Sequence, residues 1–252
     1  MNNYKMNNYK IYIVYHKENQ IQDYNLHEDE NHILYDVRQN IGKNYLNPVW
    51  SEMVAMYNIW KNGKTSDYIG FNHYRRQFTV NRLPNANECQ IYTVFNFGTP
   101  IINQYALCHR RQDIESVINI LNKKYGQNNP YSGHLLHSTH MIGNCCFFMT
   151  WENFDRMMKF MFDILEEFSI QESCYEDLDR WVSWAISNFG EENYRYQMRV
   201  IGFLAERLIS AFISVSLSFY IWFLSKNFST VQIKKDPKNF GSLFLSYSLY
   251  LV

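Results

Sequence analysis

The chain has 252 residues, 46% of them hydrophobic, which fits one large domain with a sizeable core, or one domain with a small appendage. Its 24 basic and 24 acidic residues cancel, which excludes a general nucleic-acid binder, because such a protein needs a basic excess. Any anion site must therefore be local.

Residues 1–10 repeat the unit MNNYK and hold no apolar signal-peptide core, so they read as a flexible start. Residues 11–16, IYIVYH, form a short β-branched and aromatic run that predicts a buried strand ending in His16-Lys17. Polar, turn-prone sequence follows to about Asn47. Trp50, Met53, Val54, Tyr57 and Trp60 then recur at helical spacing, and Asn62-Gly63 stops the pattern. A second strand, residues 67–72, runs into His73-Tyr74-Arg75-Arg76. Strand, helix and strand in this order predict a right-handed crossover in an α/β sheet.

After a polar loop, CQIYTVFNF predicts one more strand. Asp113 is placed to cap a helix whose apolar face is Ile114, Val117, Ile118 and Leu121. GQNNPYSG reads as a loop. GNCCFFMT, residues 143–150, reads as a buried strand, and Thr150 is placed to cap a helix striped with Phe154, Met157, Met158, Met161, Phe162 and Leu165. Another helix is expected over 177–187. Residues 208–225 carry no charge; they predict a buried helix followed by a strand, with a membrane-associated or membrane-spanning segment as the alternative. Lys226, Lys234, Lys235 and Lys238 beyond it would suit an anionic membrane surface. The organisation expected is a single domain over 11–225 and a tail of unclear structure over 226–252.

In open α/β sheets, ligands sit beyond the carboxyl ends of the strands. Two strands here end in His16-Lys17 and in His73-Tyr74-Arg75-Arg76. If these ends converge, they form a cationic crevice for a phosphate or diphosphate, since arginine offers a planar fork to the oxygens. The alternative is that adjacent arginines point to opposite sides and one pairs with a surface carboxylate. Glu52 is the lone carboxylate on an apolar helix: it faces the crevice or is an ordinary exposed glutamate. Asn144 opens a strand, where it is either a ligand for a hydroxyl-rich molecule or a turn residue. Glu206-Arg207 sits within an apolar helix, as a structural ion pair or as an oriented functional carboxylate. His134, His137 and His140 recur every three residues in what reads as loop, which does not suit a metal. The five cysteines, Cys89, Cys108, Cys145, Cys146 and Cys174, show no zinc spacing and read as reduced, mostly buried thiols of a cytoplasmic protein. No P-loop, dinucleotide fingerprint or nucleophile elbow occurs.

Several blocks occur in a recognisable order: His16-Lys17; Asn44 and Asn47 before Glu52, Tyr57, Trp60, Lys61 and Asn62; Gly70, His73, Tyr74, Arg75 and Arg76; Gln104, Tyr105 and His109; Gly143-Asn144; and Arg199, Gly202, Phe203, Leu204, Glu206, Arg207 and Leu208. With these the chain resembles bacterial capsular and exopolysaccharide glycosyltransferases whose domain was long catalogued only as being of unknown function. The resemblance covers roughly residues 11–210; FNFGTP departs from the more regular strand expected there.

The resemblance implies an α/β, GT-A-like nucleotide-binding α/β/α sandwich with a mostly helical C-terminal part. It implies sugar transfer from a nucleotide-sugar donor, UDP-linked and with galactofuranose as one candidate, to a growing capsular, exopolysaccharide or O-antigen glycan or a lipid-linked oligosaccharide. The location implied is cytoplasmic, with the inner face of the membrane as a peripheral contact. His16, Lys17, Glu52, His73, Tyr74, Arg75 and Arg76 would bind the nucleotide-sugar. Tyr105, His109 and Asn144 would bind acceptor or sugar. Glu206, oriented by Arg207, would be the general base, with Asp179 in reserve. Most GT-A enzymes hold Mn²⁺ or Mg²⁺ on an Asp-x-Asp pair, but Asn72-His73-Tyr74-Arg75 occupies that place. Asp177-Leu178-Asp179 has the spacing but starts a helix, so no metal ligand is assigned, and His73, Arg75 and Arg76 would stabilise the UDP leaving group in place of, or beside, Mn²⁺ or Mg²⁺. A non-catalytic glycan-binding or membrane-associated assembly protein on the same fold is the competing reading.

Overall fold

The computed structural model describes residues 8–80, 82–221 and 231–233. In chain order the elements are β1 (Tyr9–Tyr15), α1 (Asn19–Asp23), β2 (His32–Asp36), a 3₁₀ turn (Asn44–Leu46), α2 (Asn47–Trp50), α3 (Met53–Lys61), β3 (Tyr68–His73), β4 (Glu88–Ile91) and β5 (Val94–Asn96). They continue with α4 (Ile101–Ala106), α5 (Arg111–Tyr125), α6 (Pro130–His137), β6 (His140–Ile142), β7 (Phe147–Thr150), α7 (Trp151–Gln171), α8 (Leu178–Phe189), α9 (Tyr194–Gln197), α10 (Val200–Ser216), β8 (Ser218–Ile221) and β9 (Val231–Ile233). Among the described residues the main sheet runs β2-β1-β3-β7-β4-β8-β9, and β5 pairs β6 separately.

β1 is parallel to β2 and β3, so the ends of β1 and β3 point the same way; β7 runs antiparallel between β3 and β4. Period-two alternation sorts the strand residues onto two faces. Tyr12, Val14, Ile69, Phe71, Phe147 and Met149 face the large core built with α2–α8 and α10. Ile11 and Phe148 face a smaller cluster closed by Phe78, Val80 and Leu83, while Ile13 and Tyr15 pack on Leu26 and Ile21. The helices thus crowd one face, and α1 with the loop after β3 covers the other.

Gly70 sits where β3 and β7 pack most closely. A Cβ there would stand 2.9 Å from the Phe148 ring and 3.1 Å from the Phe147 carbonyl oxygen. Gly70→Ala is expected to cost about 1–3 kcal/mol through overpacking. A urea titration would show this as a lower midpoint at unchanged slope; an unchanged midpoint would mean the sheet yields there freely.

Several expectations are corrected. The helix expected through Trp50 and Trp60 is broken at Ser51, whose φ of 53° places it in the left-handed region. The strand expected at CQIYTVFNF divides into β4 and β5, which belong to different sheets. Asp113 does not cap α5; Arg110 holds that position, and Asp113 lies buried in the first turn, bonded to the Arg110 guanidinium. Pro130 to His137 is helix, not loop, because Asn129 accepts the N–H groups of Tyr131 and Ser132 and Pro130 occupies the first turn. Thr150 does cap α7, accepting from Asn153 N–H, and the stripe from Phe154 to Leu165 is core. α10 is buried and β8 follows it. No helix among the described residues is long and apolar enough to cross a membrane. Most of the expected flexible start (residues 1–7), residues 222–225, and the four lysines with most of the tail lie outside the described residues.

Candidate functional site

The parallel ends of β1 and β3 converge as the sequence suggested. Val14 pairs with His73, so His16 emerges just beyond the pairing. The chain turns at once after each strand. Gln20, buried, accepts the N–H groups of His16 and Lys17 through Oε1, at 2.7 and 3.0 Å. After β3, His73 and Arg76 exchange two backbone hydrogen bonds (3.1 and 2.8 Å), which makes Tyr74 and Arg75 the tip of a tight turn.

Glu52 comes to meet both histidines from the helical layer. The break at Ser51 lets α3 begin at Met53 with Glu52 at its N-cap, under the strand ends. The break is held by α10: Arg199 Nε donates to Ser51 Oγ at 3.0 Å, and a Cβ at Gly202 would stand 2.7 Å from that oxygen. Glu52 Oε1 lies 3.2 Å from His16 Nε2 and 3.5 Å from His73 Nε2. Burial alone would raise the Glu52 carboxyl, but the hydrogen bonds from His16 and His73 outweigh it and hold it well below the ordinary value.

Arg75 N–H donates to His73 Nδ1 at 3.2 Å. A neutral His73 therefore carries its proton on Nε2 and donates it to Glu52. The His73 ring packs on Tyr74 at 4.1 Å, tilted by 33°, and Tyr74 and His16 meet edge to face at 6.0 Å. Arg75 lies exposed over the Tyr74 ring, 5.1 Å away. Arg76 lies beside Cys146, whose Sγ is 3.9 Å from the Arg76 carbonyl oxygen. The turn leaves Arg75 exposed and Arg76 half-buried. Neither has a carboxylate partner among the described residues. The Lys17 side chain is exposed.

The opposite wall is the turn before β7. Asn144 and Cys145 both adopt left-handed backbone, with φ of 67° and 52°. Gly143 precedes them because the Phe95 ring lies on it; a Cβ would meet that ring at 2.1 Å. Asn144 N–H donates to Glu206 Oε1 at 2.8 Å, and Arg207 Nη1 donates to Glu206 Oε2 at 3.1 Å. Arg207 is buried, gives its other Nη to Gln104 Oε1 at 3.0 Å, and lies over the Tyr105 ring. Burial, reinforced by the charges of Glu206 and Glu52, pushes the Cys145 thiol well up, which disfavours its thiolate. Glu52, His73, Asn72, Asn144 and Cys145 line one small cavity.

The other expected residues are placed less directly. Tyr105 is wholly buried, with its hydroxyl unpaired and its ring beneath the Arg207 guanidinium. His109 stacks on Phe203 at 4.0 Å, and its Nδ1 lies 3.0 Å from Gln197 Oε1. Asp179 is exposed in the first turn of α8 and shares no bond with the cluster. His134 is a core histidine, 3.1 Å from Ser210 Oγ; burial, with a smaller push from His140, lowers it to about 4. Sequence reading missed Ser51, Gln104 and Arg199 as supports of the site, since each acts through a contact across more than 100 positions.

The GT-A-like fold implied by the resemblance raises the question of a divalent ion. Among the described residues His16, Glu52 and His73 form the group with ligand atoms within 4.8 Å of one another. The donor chemistry does not fit. Mn²⁺ and Mg²⁺ favour oxygen ligands, and there is one carboxylate here. A histidine that ligates through Nε2 keeps its proton on Nδ1, where His73 instead receives the Arg75 N–H.

A family model described as "Domain of unknown function (DUF4422)" matches residues 3–97 and 90–216. The chain belongs to this family. No curated protein matches it. Among solved structures, this DUF4422 chain is similar to the apo structure of the bifunctional glycosyltransferase WbbM, with a TM-score of 0.63 and 16% identity. The likeness covers 85% of this chain and 44% of WbbM, so the chain spans less than half the length of that protein. At that identity the likeness speaks for the fold: the DUF4422 chain has the GT-A-like α/β architecture.

Proposed function

We propose that this protein is a glycosyltransferase that moves a sugar from a nucleotide-sugar, UDP-linked, to a growing capsular, exopolysaccharide or O-antigen glycan. The observation that carries the reading is the strand-end cluster: His16, Glu52 and His73 locked together beneath Arg75 and Arg76, two guanidiniums without carboxylate partners. A GT-A-like sheet presents its ligands at such an edge.

In this reading the donor diphosphate lies against Arg75, Arg76 and Lys17. As the bond from the sugar's anomeric carbon to the diphosphate oxygen breaks, charge grows on the leaving phosphate, and fixed cations meet it without reorganising. Glu52 holds His16 and His73 in place below. Across the cavity Glu206 takes the proton of the acceptor hydroxyl. Its carboxylate is 24% exposed and is aimed by Asn144 N–H and Arg207. Each oxygen keeps a lone pair free beyond those bonds. UDP-galactofuranose is the first donor sugar to try.

Calorimetric titration of UDP, with and without Mn²⁺, tests the donor half. Wild type is expected to bind, Mn²⁺ to make no difference, and Arg75→Ala to weaken binding at least tenfold. Unchanged affinity in Arg75→Ala would remove the diphosphate from this strand end.

A further inference from the structure

Phe203 lies one turn before Glu206 on α10, so the two side chains leave the same helical face. Around Phe203 three rings pack together. His109 stacks on it with centroids 4.0 Å apart and planes 27° apart, while Tyr196 of α9 lies 5.2 Å from Phe203 and 5.9 Å from His109. Tyr196 is the outer member, 54% exposed, and its hydroxyl has no partner among the described residues. Leaving a large ring in water forgoes the roughly 1.5–3 kcal/mol that burying it would return.

The stack is also held still. Gln197 Oε1 engages His109 Nδ1 at 3.0 Å while Gln197 Nε2 donates to the Cys108 carbonyl at 2.8 Å. Arg199 lies 5.7 Å from the Phe203 ring with its Nε on Ser51, the neighbour of Glu52. Arg207, which aims Glu206, donates to the Phe203 carbonyl oxygen at 3.1 Å. A rigid, exposed aromatic face therefore stands about one helical turn and one ring step from the Glu206 carboxylate. A saccharide ring has the matching chemistry: an apolar C–H face to lie on the ring and a polar rim left in water.

We propose that Tyr196, backed by Phe203 and His109, is a sugar-stacking platform for the glycan acceptor, holding a saccharide unit next to the one whose hydroxyl reaches Glu206. This rests on the glycosyl-transfer reading. The probes are lactose and maltotriose, followed by saturation-transfer NMR on the full chain, beside UDP calorimetry on the same samples. Wild type and Tyr196→Phe should transfer saturation to the sugar C–H protons. Tyr196→Ala should lose at least tenfold of that signal while all three bind UDP alike. No saturation of either sugar by wild type, or an undiminished signal in Tyr196→Ala, overturns the platform. Saturation behaving as expected in a protein that does not bind UDP would sink the transfer reading and leave the platform standing.

Discussion

Glu206→Gln should lower sugar transfer by about 10²–10⁴-fold, the usual worth of a general base, while UDP affinity stays close to wild type and the thermal midpoint falls, because the amide leaves buried Arg207 without its counter-charge. Glutamine preserves an acceptor for the Asn144 N–H, which fixes the turn opposite His73. The neighbouring substitution, Arg207→Ala, should weigh more on the scaffold, because it breaks more than the one pair. Arg207 is 5% exposed and binds Glu206, the Phe203 carbonyl and Gln104. Removing one partner of a buried ion pair costs about 3–5 kcal/mol. For a chain of this size that shifts the melting point by on the order of 10 °C. Transfer kinetics and a melting curve on both variants separate chemistry from scaffold. Normal turnover in Glu206→Gln would remove the residue from the mechanism, and a stable Arg207→Ala would mean the pair is not buried in solution.

Glu52→Gln should weaken UDP binding at least tenfold and cost about 2–3 kcal/mol of stability at neutral pH. Two donors, His16 and His73, converge on one charged oxygen, and hydrogen bonds to a charged acceptor are worth about 1.5–3 kcal/mol each. The amide keeps the shape and loses the charge. The sign with pH follows from the depressed carboxyl. A group whose folded value lies below its unfolded one stabilises the fold above the unfolded value and loses that contribution as pH falls through the folded one. The stability gap between wild type and Glu52→Gln should therefore be widest near neutrality and shrink below the ordinary glutamate value of 4.5. Melting points measured from pH 7 to pH 3 check this. A gap that widens in acid would mean that the carboxyl is raised in the fold, not lowered.

The parts legible in the sequence were those whose local pattern agrees with their final surroundings. β1 and β3 are apolar runs buried on both faces, and their polar ends are the site. β2 was not legible: all five of its residues are half-buried, and HILYD shows no alternation and an apolar run of only three. α6 was misread because Asn129 and Pro130 mark a turn and a helix start alike. The break at Ser51 leaves no local trace, since Arg199 and Gly202 impose it from α10. The same holds within the site. His16, Glu52 and His73 stood out as polar groups on apolar elements. Nothing in the spacing could say that Tyr105 lies beneath Arg207, or that Arg75 and Arg76 part company at the turn.

The order of strands in the sheet also bears on how the chain is made. β4 pairs on its outer side with β8, Glu88 opposite Ser218, so the ribosome must add about 130 residues before that neighbour exists. At about 5–20 residues per second the nascent sheet waits roughly 6–26 s with β4 open on that side. An unpaired strand edge is a template for another chain. Polypeptides released before Ile221 would keep that edge, and they are expected to associate through it instead of completing the fold.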